Sequence, residues 1–285
     1  MLPPSIAACA VKKRGIDDDV FHYTRGKHFS ALEYWTFDIT QSGTYAKPKK
    51  IADLNVDSTI NDTNEDILDT IVTPGGIYGH YAYDKPGDEE YPFGHGGIAR
   101  VAPGTDTFVP VPIVERHEKY DKGVKRYSYD RSKLYYDTIY EDEEITEGYM
   151  AHTTIFEADP DGSNPREVMR VDGYFYWVIY DGVIYWADEQ ILGNGKRDNK
   201  VKAFDLDTGE EATLFSAPIM KENKFGARDI QLICRAGGHL YIECMDLGPF
   251  TGPDDAYHVY YRMNLDGSDI RVLDETIPAL VEFTG

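Results

Sequence analysis

The sequence predicts an all-β fold built from a repeated four-stranded unit, on three observations. An apolar–aromatic dyad recurs at near-constant spacing. A tight acidic or glycine-containing turn follows each copy. The composition favours strands and turns, with 22 Tyr and 26 Gly among 285 residues. Aromatic and β-branched residues suit a pleated, half-buried surface, and Gly, Asp and Asn supply the turns between strands.

The dyads are Val20-Phe21, Ile77-Tyr78, Leu134-Tyr135, Ile184-Tyr185 and Leu240-Tyr241, and their aromatic members are spaced by 57, 57, 50 and 56 residues. The turns that follow are DITQSG from Asp38, VAPGTD from Val101, ADPDGSN from Ala158, DLDTGEE from Asp205 and NLDGSDI from Asn264. After each turn comes a short apolar-rich run: PKKIADL, TFVPVPI, REVMRV, EATLFSA and DIRVLDE. Before each dyad from the second onward lies another strand candidate: DILDTIVT, VKRYSYD, GYFYWVIY and RDIQLICRA.

Each unit thus reads as four strands, a to d, with the dyad on b. Four-stranded antiparallel units of about 40 to 60 residues are propeller blades. The first unit begins at b, and the chain finishes with PALVEFTG (278–285), an a-like strand with no unit of its own. Docking that tail beside the first b strand completes a five-bladed β-propeller and removes an open sheet edge. Six blades or an open fragment are the alternatives. On this reading residues 1–16 are a leader or tail and 17–285 form one domain.

Two stretches carry a family resemblance. IYWAD (184–188) and EYWTFD (33–38) resemble the Tyr-Trp-Thr-Asp motif of low-density-lipoprotein-receptor-type propellers. VYYRMNLDGSDIRVL (259–273) resembles the blade endings of bacterial TolB-like propellers and of an uncharacterised bacterial family related to the receptor type. The resemblance implies a propeller and a habit of binding partners, not a chemistry. Those families usually have six blades, so five departs from them.

The formal charge of −21 argues against nucleic acid and anionic membrane surfaces, which need clustered Lys and Arg. No apolar run reaches the roughly 18 residues that span a bilayer. IAAC (Ile6 to Cys9) is similar to the end of a bacterial lipoprotein signal, with Cys9 as the lipid-bearing residue, which points to the cell envelope or secretion. The 3 cysteines cannot form a disulfide framework. A hairpin turning at Gly237-Gly238 sets Cys234 opposite Tyr241 and leaves Cys244 out of bridging range, so both are read as free thiols.

Function is sought in the long b–c connections 85–97, 142–150, 189–199 and 247–257, which a propeller places on one face. They hold Tyr91, Phe93, His95, Tyr149, Phe250 and Tyr257 among Asp88, Glu89, Glu90, Asp254 and Asp255. Exposed aromatics beside acids suit a protein or carbohydrate ligand. The leading expectation is a non-catalytic binding propeller. The alternative is a glycan-active hydrolase using inner-strand carboxylates, for which Asp66, Asp229 and Glu282 are the candidates. Asp84, Glu141, Asp188 and Asp246 close strand b in four units and read as caps. No metal or cofactor motif is present. DPDGSN and NLDGSD only faintly echo calcium loops, and the GHGG around His95 offers a weak anion nest.

Overall fold

In a computed structural model the described residues are 20–25, 33–38, 49–60, 68–83, 95–114, 123–142, 150–173, 176–191, 197–217, 229–236, 238–246 and 257–273, some strand positions by backbone alone. They contain strands and turns and no helix. The chain divides into two compact units that meet in sequence between Asp172 and Gly173.

The first unit holds three sheets. In the first, β1 (Val20–Arg25), β2 (Glu33–Asp38) and β3 (Lys49–Asp53) form an antiparallel meander. Among the described residues this sheet supplies strands b, c and d of the predicted unit. β1 pairs with β2 on one side, and no strand among the described residues covers its other edge. In the second sheet the meander is β5 (Leu68–Thr73), β6 (Gly76–Tyr83), β7 (His95–Val101) and β8 (Thr107–Pro110), with the short β4 (Asn55–Val56) pairing parallel along the outer edge of β8. The third sheet is β9 (Tyr127–Asp130), β10 (Lys133–Asp142), β11 (Met150–Ala158) and β12 (Arg166–Asp172).

The second unit holds two four-stranded meanders. One is β13 (Trp177–Tyr180), β14 (Val183–Ile191), β15 (Arg197–Asp205) and β16 (Glu211–Ser216). The other is β17 (Asp229–Ala236), β18 (His239–Asp246), β19 (Tyr257–Asn264) and β20 (Arg271–Val272). The register sets Cys234 opposite Tyr241, as the turn chemistry predicts, and Cys244 is a buried free thiol.

Period-two alternation lets one strand serve two cores, as Ile77 and Tyr78 of β6 do. In β10, Leu134 and Tyr136 enter a core with Tyr78, Ile98, Tyr129 and Phe156, which joins the second sheet to the third. Tyr34 and Ala52 of the first sheet pack on a core of Ile77, Ala99, Val101 and Phe108 of the second. In the second unit Tyr185, Val201 and Phe215 meet Leu240, Ile242, Val259 and Met263 across the gap between its two sheets. Fully burying one such side chain contributes about 1.5–3 kcal/mol. The dyad tyrosines Tyr78, Tyr135 and Tyr185 are all buried, and burial pushes their hydroxyls above the ordinary tyrosine range.

The c–d turns do more than reverse the chain. In the third sheet the Asp161 carboxylate accepts from the Ser163 amide at 3.0 Å and from the Ser163 hydroxyl at 2.6 Å. Asp266 does the same for Ser268 at 2.9 and 2.6 Å. In both turns the Gly between acid and Ser takes positive φ, 84° at Gly162 and 83° at Gly267. Each of these glycines also lies against the preceding sheet: a Cβ at Gly162 would stand 2.5 Å from the Pro112 carbonyl oxygen, and one at Gly267 would stand 3.1 Å from that of Leu214. Tyr78 completes the first contact by donating to the Pro160 carbonyl at 2.8 Å. Asp-Gly-Ser therefore marks a turn that clips one sheet to the one before it. Gly104 and Gly209, in turns without that motif, have positive φ, and a Cβ at either would meet nothing within 4 Å.

Candidate functional site

The b–c hairpins are where the sequence places function, and their strands are long and regularly paired. Their last pairs are Tyr83 with His95, Asp142 with Met150, Ile191 with Arg197 and Asp246 with Tyr257. In the second and fifth sheets this end carries the longer connection, 84–94 and 247–256 against c–d turns of 102–106 and 265–270. The opposite end carries tight a–b turns, such as Asp130 to Lys133 and Tyr180 to Val183.

Two expectations are corrected here. His95 and Tyr257 are not loop residues: each is the first residue of strand c, paired across from the end of strand b. The connection expected at 189–199 shrinks to 192–196, because Glu189, Gln190 and Ile191 pair with Asn199, Asp198 and Arg197. The physical reason is the same in both cases. Polar residues near a turn read as loop, yet once the core residues fix the register the backbone ladder continues past them. Tyr91, Phe93, Tyr149 and Phe250 lie outside the described residues, as do Asp66 and Glu282. Asp229 opens β17, with its backbone opposite Met245, next to the long-loop end of β18. Asp69 is the extra residue of a bulge between Leu68 and Thr70.

Below the loops, several polar groups have structural partners. A Cβ on Gly96 would collide with the Val124 carbonyl, because Gly96 forms a parallel bridge to Gly123 and accepts the Val124 amide at 2.9 Å. The second half of GHGG thus brings two sheets together by backbone, where the sequence suggested an anion nest. His80 Nε2 stands 2.9 Å from the Val124 carbonyl, which fixes Nε2 as the protonated nitrogen. Asp137 is fully buried and accepts from the Lys125 and Arg126 amides at 2.9 and 2.8 Å. His152 Nδ1 and Asp172 are 2.7 Å apart, tying β11 to β12.

Asp188, expected as a backbone cap, lies 2.7 Å from the Lys202 ammonium, which also reaches Glu211 at 2.9 Å. This crosslink spans strands b, c and d of the fourth sheet, with the Lys202 ammonium 5.8 Å from the Trp186 ring centre. Burial pulls the Lys202 pKa down, but its bonds to the two carboxylates outweigh that and the net direction is up. In the last sheet the Tyr260 hydroxyl, pushed up to about 12 by burial and by Glu243, donates to Glu243 at 3.2 Å. Sequence reasoning missed these crosslinks. Their signal, an acid and a base or Tyr on directly paired strands, becomes readable only once the register is known.

Among the described residues no group of three or more His, Cys, Asp or Glu could hold a metal ion. The carboxylates of the Asp159–Asn164 turn are engaged locally, Asp159 with Lys133 at 2.6 Å and with Asn164 at 2.7 Å. Among the described residues no helix is long and apolar enough to cross a membrane.

No protein-family model matches the chain, and no curated protein matches it. Solved structures align with it at low identity. The tricorn protease aligns at 12% identity over 89% of this chain and 26% of that one, with a TM-score of 0.48. A thermostable family-43 glycoside hydrolase aligns at 11% over 90% of each chain, with 0.45. An oligogalacturonate lyase solved in complex with manganese aligns at 10% over 89% of this chain and 66% of that one, with 0.47. At these scores no residue of this chain inherits a role. The resemblance to TolB-like and receptor-type propellers rests on the strand and turn motifs alone.

Proposed function

We propose that the chain is a five-bladed β-propeller that recognises a protein or carbohydrate ligand through its b–c loops. One observation carries the reading. In the second and last sheets the b–c connections 84–94 and 247–256 exceed both the tight a–b turns and the c–d turns 102–106 and 265–270 at the other end, so in these two sheets length and chemical variety collect at one end of the repeat. Insertions confined to one face of a repeat fold commonly mark its binding face. The ring would close when 278–285 pairs with the open edge of β1. β1 lies against β5, as strand b of the fourth sheet lies against β17, which supports reading β1 as a b strand whose free side, unpaired among the described residues, would take an a strand. The loops carry Tyr91, Phe93, Tyr149 and Phe250 as anchors, with His95 and Tyr257 rooting two of them.

A glycan and peptide array probed with the full chain tests the reading. Replacing 84–94 by a two-residue Asn-Gly turn between Tyr83 and His95 should cut binding at least tenfold while leaving the melting temperature near the parent's. Unchanged binding after shortening both this loop and 247–256 would sink it.

The second reading is a glycan-active enzyme with Asp66, Asp229 and Glu282 as its acids. The register favours it at one point, because the Asp229 backbone sits at the long-loop end of β17. Release of reducing sugar by the parent, abolished in Asp229→Asn with folding intact, would establish turnover. Array binding without any release would leave recognition alone.

A further inference from the structure

We draw no further inference here: the strongest candidate, the Trp186–Asp188–Lys202–Glu211 cluster in the fourth sheet, has its one ammonium engaged by both carboxylates beside an indole that is almost fully buried, and nothing among the described residues shows a ligand-sized space beside it.

Discussion

Replacing the turn glycines with alanine separates two costs that usually come together. At Gly104, Gly162, Gly209 and Gly267 the backbone has φ of 82°, 84°, 73° and 83°, so the conformational cost is nearly shared. That cost is roughly 1–2 kcal/mol for an L residue, partly offset by about 0.4–1 kcal/mol from a less flexible unfolded chain. Gly104→Ala and Gly209→Ala, with nothing within 4 Å of the new methyl, should therefore cost about 1 kcal/mol. At Gly267 the methyl would meet Leu214 atoms at 3.1–3.2 Å, a clash that a small shift relieves, and about 2 kcal/mol is expected. At Gly162 it would stand 2.5 Å from both the Pro112 carbonyl oxygen and a Val111 methyl. Overpacking of that kind costs typically 1–3 kcal/mol, which brings Gly162→Ala to about 3 kcal/mol in total. Each compact unit contains one clip and one open control: Gly162 with Gly104, and Gly267 with Gly209. Urea unfolding followed by tryptophan fluorescence and far-ultraviolet dichroism gives the four values, and hydrogen exchange assigns them to units. Equal costs within about 0.5 kcal/mol inside each pair would show that φ alone matters and that the Asp-Gly-Ser turn is no clip.

Three further outcomes follow from named contacts. Lys202→Met leaves Asp188, whose side chain is 11% exposed, without that cation and should cost about 2–3 kcal/mol, less than a fully buried pair because Glu211 is half exposed. Adding Asp188→Leu should recover most of the loss, and a double-mutant coupling near zero would make the pair a solvated surface contact. Arg131 and Ser132 hold φ of 45° and 60° in a tight turn where the fourth sheet uses Asp181-Gly182, so Asn-Gly at 131–132 should raise the melting temperature by about 3 °C, and a drop would count against strain there. The carboxyls of Asp159, Asp161 and Asp266 lie below their ordinary 3.8, held there mainly by hydrogen bonds from Lys133, Ser163 and Ser268. Their native state binds fewer protons than the unfolded chain, so their contribution is complete above that value and disappears as pH falls through the lower native one. Acid titration of stability should steepen below about pH 4, and Asp159→Asn should flatten it; an unchanged slope would show these bonds add nothing.

Much of the strand order was legible because its causes are local. Alternation in SKLYYDTIYED and VIYWADEQ assigns faces, and Asp-Gly with a short polar neighbour assigns turns. Both act within a few residues, so a, b, c and d could be placed, and even Cys234 could be set opposite Tyr241. The bounds of the candidate loops were less legible. His95, Tyr257 and residues 189–191 read as loop, since polar side chains near a turn do not reveal how far backbone pairing runs. β4 was invisible because a two-residue parallel pairing has no periodicity of its own.

By itself the sequence determined that this protein is a succession of antiparallel meanders, most of them four-stranded, because side-chain alternation and turn preference are properties of adjacent residues. Only the tertiary structure decided that Gly96 admits a neighbouring backbone, that Gly162 seats on the sheet before it, and that Asp188 faces Lys202. Each of these depends on atoms from distant segments meeting within a few ångströms, and that proximity is set by how the sheets pack rather than by any local pattern.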